Sequence, residues 1–449
     1  MVLPASVRAR HSGASLVETM VGILIGMIVI AVVYNILSVA EGYKRATVGA
    51  SDAQITGLLT QFMASRDIGN GGNGIMMSTS QMNTSGAPVP SDLSLCNDST
   101  GTPLVSGLPD TIRTLDYTVR PIPVIIFDNY HGGPSDSFIS LSANGAHVIW
   151  PVDAIQPLPV AGAPIIVQSP NGFTVPPPTP AAPYWAVAIN NDDPAAPAAR
   201  YKCQVIRVVG AVPDPTVPPT GKVTLTQDPA LKTSFDLTGG AEPPRVLILG
   251  PQGLATRVQY RVGNGLAPEP ASERNVLLTT DLLTTNPLTS VPVAQNVVLM
   301  KAQYGVDMDD NGTIDCWTPA DNSGTCGDDF TPGAVVQKNL QRINRILAVR
   351  VGVVVRSDEP DMRSLTDPGN ADLQAEARAL KSATRPPVVL FNCSTNNAAC
   401  QNRVVVPAGA GAPVGSATCA PAVICDYWRY RTYETIVPLR NSIFAATIP

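Results

Sequence analysis

The sequence predicts an α+β protein: a long N-terminal helix, partly transmembrane, followed by a mainly antiparallel β body with disulfide-braced loops. Three observations predict this. Thr19 to Ala40 carries no charged residue, which at 1.5 Å per residue is about 33 Å of helix, enough to span a bilayer core. The chain holds 43 prolines and 36 glycines against only 14% charged residues, a balance that favours strands and turns over surface helices. Eight cysteines form an even set without a CxxC pair, which reads as disulfides rather than zinc ligands.

At 449 residues, 44% of them hydrophobic, the chain is long enough for two or three domains with a real core. A net charge of −5 gives no basic footprint, which argues against a nucleic-acid partner. Disulfides imply an oxidising compartment. Pairing by nearness in sequence joins Cys316 with Cys326, Cys393 with Cys400 and Cys419 with Cys425, and leaves Cys96 with Cys203. Eight cysteines allow about 105 connectivities, so other pairings stay open.

The apolar run has Arg8 and Arg10 before it and Lys44 and Arg45 after it, so charge alone leaves its orientation open, and the cysteines place the C-terminal body outside the cytosol. One acid, Glu18, stands at its front edge. A carboxylate in hydrocarbon costs a few kcal/mol and needs a partner. A secretory signal puts small residues after its apolar core, whereas here Gly13 and Ala14 come before it. Cleavage between Gly13 and Ala14 would keep the apolar segment and create an α-amino group one helical turn from Glu18. An uncleaved anchor with an incidental acid is the alternative.

Gly13, the following "ASLVE" with its acid in fifth place, and "TMVGILIGMIVIAVV" resemble the class III leader and N-terminal helix of type IV pilins and pseudopilins. The resemblance implies cleavage by a prepilin peptidase after Gly13, methylation of Ala14, and pairing of Glu18 with the N-terminal amine of a neighbouring subunit. Phe is the family's usual first mature residue, and Ala14 departs from it. The pattern divides the chain into a leader (1–13) and a pilin helix (14–68).

Beyond the membrane the helix has no proline as far as Gly69. Ile55, Leu58, Leu59, Phe62 and Met63 recur at three and four, giving one apolar face. "GNGGNG" at 69–74 matches GxGxxG, but it follows a helix instead of joining a strand to one, so it reads as a helix stop and not a nucleotide site. A Pro- and Gly-rich β region at 69–299 follows, either one domain or one carrying insertions, with strand-like runs at 123–127, 147–150, 164–168, 184–189 and 203–210, and further ones at "KVTLTQ", "RVLILG", "ATRVQYRVG" and "VVLMKAQYGV". A C-terminal β region, 300–449, holds two more strands, at 344–357 and 428–441.

In "DMDDNGTID", Asp307, Asp309, Asn311, Gly312 and Asp315 occupy positions 1, 3, 5, 6 and 9 of a calcium loop, and Thr313 would add its carbonyl. Position 12, where a bidentate Glu belongs, holds Thr318. Asp321, Asp328 or Asp329 would complete the set if a Cys316–Cys326 bridge folds that loop back. The same residues also suit a solvated hairpin turn without an ion. No HExxH, GxxxxGK[ST] or GxSxG occurs, and His131 and His147 sit in no motif, so an enzyme is unsupported.

The "YGVDMDDNGTID" stretch, the strand ending in Arg356 and Ser357, and the closing Leu439, Arg440 and Asn441 are similar to PilW-type minor pilins. That resemblance implies a minor pilin that helps to initiate or cap pilus assembly, with adhesion and twitching motility as its outputs. It implies major and minor pilins as partners through the N-terminal helix, the prepilin peptidase, and a tip adhesin. The expected location is single-pass in the inner membrane with a periplasmic body, then the pilus. A calcium-stabilised surface binding protein and a type II secretion minor pseudopilin are the other readings.

Overall fold

Ser15 stands at the N-cap of helix α1, Leu16–Asn70, and 55 residues follow without a proline. The computed structural model describes residues 15–73, 81–82, 88–89, 123–130, 133–143, 152–155, 163–168, 178–191, 201–213, 221–229, 244–263, 271–283, 290–309, 311–320, 326, 330, 345–358, 388–391, 404–406 and 430–439. Leu16–Leu37 has a mean hydropathy of 2.6 and is long and apolar enough to cross a membrane, and none of it is buried by the rest of the chain. The helix runs two residues beyond 68 and ends where glycine is required. Gly71 closes the last turn with its N–H on the Ile68 carbonyl at 2.9 Å, and a Cβ there would meet the Pro123 carbonyl oxygen at 2.7 Å. Gly72 adopts φ 74° and donates to the Leu141 carbonyl at 2.8 Å. The glycine cluster is thus a helix stop docked onto a strand.

The rest is antiparallel β structure. Strands β1 (Gln81–Met82) and β2 (Pro88–Val89) form a small ribbon. After β3 (Val124–Phe127) and β4 (Ser137–Ser142) come six strands that close into a barrel: β5 (Val152–Ile155), β6 (Ile165–Val167), β7 (Tyr184–Asn191), β8 (Tyr201–Pro213), β9 (Val223–Gln227) and β10 (Arg245–Pro251). The ring order is β10-β5-β6-β9-β8-β7. Strands β11 (Thr256–Val262), β12 (Val276–Asp281) and β13 (Ser290–Gln295) join the earlier pair in an open sheet ordered β13-β12-β11-β4-β3. A second open sheet, β15-β14-β16-β19, contains β14 (Val297–Val306), β15 (Cys316–Thr318), β16 (Ile346–Arg356) and β19 (Tyr430–Pro438), and β17 (Val388–Leu390) pairs β18 (Val404–Val406). This is an apolar helix followed by a mainly antiparallel body. It differs from a simple helix-and-sheet α+β arrangement because the body holds two open sheets and a closed barrel.

Strand β16, "ILAVRVGVVVR", is buried along its whole length except its last residue. A continuous valine-rich run of this kind suits a strand covered on both faces. Val349, Val351, Val353 and Val355 enter the main core, which also holds Ala53, Ala64 and Ile68 of the helix. The alternate residue Val354 packs with Leu299, Leu390 and Phe391 in a second cluster on the other face.

The helix faces the body with its small residues. Gly49, Ala53, Gly57, Thr60, Ala64 and Ile68, spaced by three and four, are buried against β16 and β19. Four of the five residues expected on one apolar face point away: Ile55, Leu58, Leu59 and Phe62 are 62%, 52%, 43% and 65% exposed, whereas Met63 is partly buried and packs against the core. Polar contacts pin the assembly. The Tyr260 hydroxyl donates to Asp67 Oδ2 at 2.5 Å and Ser140 Oγ donates to the Asp67 carbonyl at 2.6 Å, fixing the helix end to the first open sheet. Tyr304 of β14 donates to the Val124 carbonyl at 3.1 Å and accepts from the Ile126 N–H at 2.7 Å, joining the two open sheets. Asp136 strengthens that joint by pairing with Lys301 Nζ at 2.6 Å and accepting the Ala302 N–H at 3.0 Å.

Candidate functional site

Two regions carry the residues singled out by the sequence. At the first, Gly13 and Ala14 lie outside the described residues, so the cleavage junction has no described geometry. Glu18 lies in the first turn of α1. It is exposed, on the same uncovered stretch as Leu16, Val17, Met20 and Val21. An acid near a helix N-terminus is favoured by the unpaired N–H groups there. The helix glycines do not break it: a Cβ at Gly22 or Gly26 would meet nothing within 4 Å, which leaves these positions open to an approaching helix.

The second region is the loop between β14 and β15. These strands pair at Val306 and Cys316, so Asp307 and Asp315 leave the end of the ladder side by side. Candidate ligand oxygens of Asp307, Asp309 and Asp315 lie within 4.8 Å of one another. Asp307 is buried, and its two oxygens accept the N–H groups of Asn311 at 3.2 Å and Gly312 at 2.7 Å. Asp315 Oδ2 accepts the Met308 N–H at 2.7 Å. Gly312 supplies the bend with φ 82°, where a side chain is disfavoured. Asn311 Oδ1 accepts both the N–H and the hydroxyl of Thr313, at 2.7 and 2.5 Å, so it would have to release them to reach an ion. The donor set of three carboxylates, an amide oxygen and the Thr313 carbonyl is made of hard oxygens, which suits calcium.

Thr318, in position 12 of the loop pattern, is no ligand. It is fully buried in β15, pairs with Tyr304, and donates its hydroxyl to the Pro319 carbonyl at 3.0 Å. A strand therefore begins where a calcium-binding helix–loop–helix would start its second helix. The Cys316–Cys326 bridge anchors β15. Asp321, Asp328 and Asp329 lie outside the described residues, as do Cys96, Cys393, Cys400, Cys419 and Cys425, and the side chain of Cys203 is not described.

Sequence reasoning missed the support behind this hairpin. The Arg350 guanidinium lies between the rings of Trp317 and Phe391, 4.9 and 4.4 Å from their centroids, and its Nε donates to Gln303 Oε1 at 2.8 Å. Burial pushes its pKa down to about 10, against the opposing pull of Glu434. The only signal was a lone arginine inside a valine run.

No curated protein and no solved structure gives a significant match to the chain. Residues 259–441, from within β11 through β19 and less than half of the chain, match the family model described as Type IV Pilus-assembly protein W.

Proposed function

We propose that the protein is a minor pilin, held in the membrane by α1 and drawn through that helix into a type IV pilus, where it helps to initiate or cap assembly. The observation that carries this reading is the outward apolar surface of α1, which runs from Leu16 through Leu37 and reappears at Ile55, Leu58, Leu59 and Phe62. The body covers the small-residue face and leaves this one for membrane or neighbouring helices. Glu18, placed near the leading end, pairs with the amino group released by cleavage after Gly13 and so sets the stagger between subunits.

The test is the N-terminal peptide mass of membrane-extracted protein, made with and without prepilin peptidase. A peptide starting at Ala14, with or without a methyl group, is expected only with the peptidase. The same intact N-terminus in both samples would overturn the proposal. Glu18→Gln should still be cleaved but should not enter filaments. Loss of pili and twitching on deletion, rather than loss of exoprotein release, separates a pilus role from a secretion pseudopilin.

The acidic hairpin favours a second reading of the body, as a calcium-stabilised surface domain; it is compatible with the first. Calcium would be held by Asp307, Asp309, Asn311, Thr313 and Asp315, and its role would be to neutralise the clustered carboxylates and stiffen the hairpin. Calorimetric titration of the whole protein with calcium tests it: saturable binding that Asp307→Asn weakens supports the site, and no heat above the dilution control rejects it.

A further inference from the structure

We infer that the six-stranded barrel is a separately folding domain spliced into a hairpin, dispensable for anchoring and filament entry. The inference lies in the topology. Strands β4 and β11 are direct neighbours, paired from Phe138 with Tyr260 to Ser142 with Thr256, and their end is pinned by a 2.7 Å bond between the Ser142 and Thr256 hydroxyls. Every barrel strand lies in the stretch that leaves this end after Ser142 and returns before Thr256. Within the barrel the first strand pairs with the last, Val152 with Val246 and Asp153 with Arg245, and Arg245 Nε meets Asp153 Oδ1 at 3.3 Å. The two ends of the inserted stretch are thus held together by the barrel's own closure, the arrangement that lets an insertion fold without straining its host.

Pairing and core agree with this. Among the described residues, each barrel strand hydrogen-bonds only to other barrel strands, so the ring has no open edge to lend to the neighbouring sheets. Cross-strand partners share a face, and the inner face so traced contains Ile165, Leu225, Ile206 and Ile248, all fully buried. The family match begins at residue 259, after the barrel has closed. The wall formed by β7 and β10 is buried on its outer side as well, at Trp185, Val187 and Leu247, and the buried residues of barrel and body form one continuous cluster. A test must therefore show whether that seam couples the two units.

Leu225→Asp in the full-length protein puts a charge on the inner face, away from the seam. Hydrogen exchange read by peptide should show protection in 152–251 falling by about 100-fold or more, while β14, β16 and β19 keep theirs within about threefold. Loss of protection in both regions would overturn the inference. A second variant replaces 144–254 with Asn-Gly, a sequence suited to a tight hairpin turn. It should be recovered folded, with body protection unchanged. Aggregation of the shortened chain, or loss of protection in β4 and β11, would show that the body needs the barrel in order to fold and would overturn the inference. The filament-entry arm rests on the proposed function: the excised chain should enter pili whenever the full chain does. If the full chain does not enter, the minor-pilin reading fails while the exchange pattern still decides the barrel; if only the excised chain is excluded, dispensability fails.

Discussion

Replacing Gly57 with alanine should loosen α1 from the body, although alanine is the better helix former. On propensity alone the change stabilises a helix interior by about 1 kcal/mol. A Cβ at Gly57, however, would lie 2.1, 2.2 and 2.5 Å from three ring atoms of Tyr433 on β19. Ordinary carbon contacts are at about 3.5–4.0 Å, so ring or helix must shift by more than about 1 Å. Overpacking of this kind costs about 1–3 kcal/mol, and the upper end applies because three atoms of one ring are overrun together. The net effect is a loss of about 2 kcal/mol, or roughly 30-fold in the local opening equilibrium. Native-state hydrogen exchange of the detergent-solubilised chain, read over 49–70 and β19, measures it directly. The pairing with Tyr433→Ala is decisive, because without the ring Gly57→Ala should slow exchange by its propensity alone. The sign must therefore reverse between the two backgrounds, with a coupling of about 3 kcal/mol. Slower exchange for Gly57→Ala in the Tyr433 background would refute this account of the helix–sheet contact.

Burial, reinforced by the hydrogen bond to Asp67, raises the Tyr260 pKa well above the ordinary tyrosine value. The folded state then keeps a proton that the unfolded state loses, so this contribution is complete below pH about 10 and falls above it by up to about 1.4 kcal/mol per pH unit. Tyr260→Phe should flatten the alkaline stability profile, and an unchanged slope would reject the assignment. It should also cost about 1.5–3 kcal/mol at neutral pH, because the Asp67 carboxylate loses a donor. Arg350→Lys keeps the charge but loses the planar group between Trp317 and Phe391; a loss of about 2 kcal/mol in urea unfolding is expected, with a change in Trp317 fluorescence. If calcium binds the hairpin, thermal unfolding should shift upward with added calcium in wild type and stay put in Asp307→Asn.

Much of the strand content was legible because it rests on local pattern. The runs at 123–127, 164–168, 184–189 and 203–210 coincide with β3, β6, β7 and β8. The run at 147–150 lies outside the described residues, and β5 follows at Val152–Ile155. Strand β4, "SFISLS", escaped notice because serines usually mark loops. Here Ser137 Oγ donates to the Tyr260 carbonyl at 2.9 Å and Ser140 Oγ to the Asp67 carbonyl, so both hydroxyls are satisfied inside a sheet. Strand β13 carries Pro292, which an edge strand tolerates. Barrel closure was illegible because it depends on β5 meeting β10 across most of the insertion. At the hairpin, the Asp-Asn-Gly spacing announced the convergence of Asp307, Asp309 and Asp315, whereas the guanidinium stacked behind it depends on Phe391, remote in sequence.

The helix shows how a correct periodicity leaves its partner undetermined. Ile55, Leu58, Leu59 and Phe62 do form one exposed face, while Met63, expected with them, packs against the core; size alone would turn all five toward the body. The sheet decides otherwise. Strand β19 presents Tyr433 and Val437, partners large enough to need small residues opposite them, and Gly57 and Gly69 meet those two side chains. Packing density is thus met by large on the strand against small on the helix. The large helix residues are left outside, on the half of α1 that follows the membrane-length segment. Exposing four large apolar side chains in a row carries a solubility cost that a monomer has no reason to keep. A second helix packing there removes the cost. The same sequence choice therefore serves both the inner contact and the outward face on which the proposed assembly role depends.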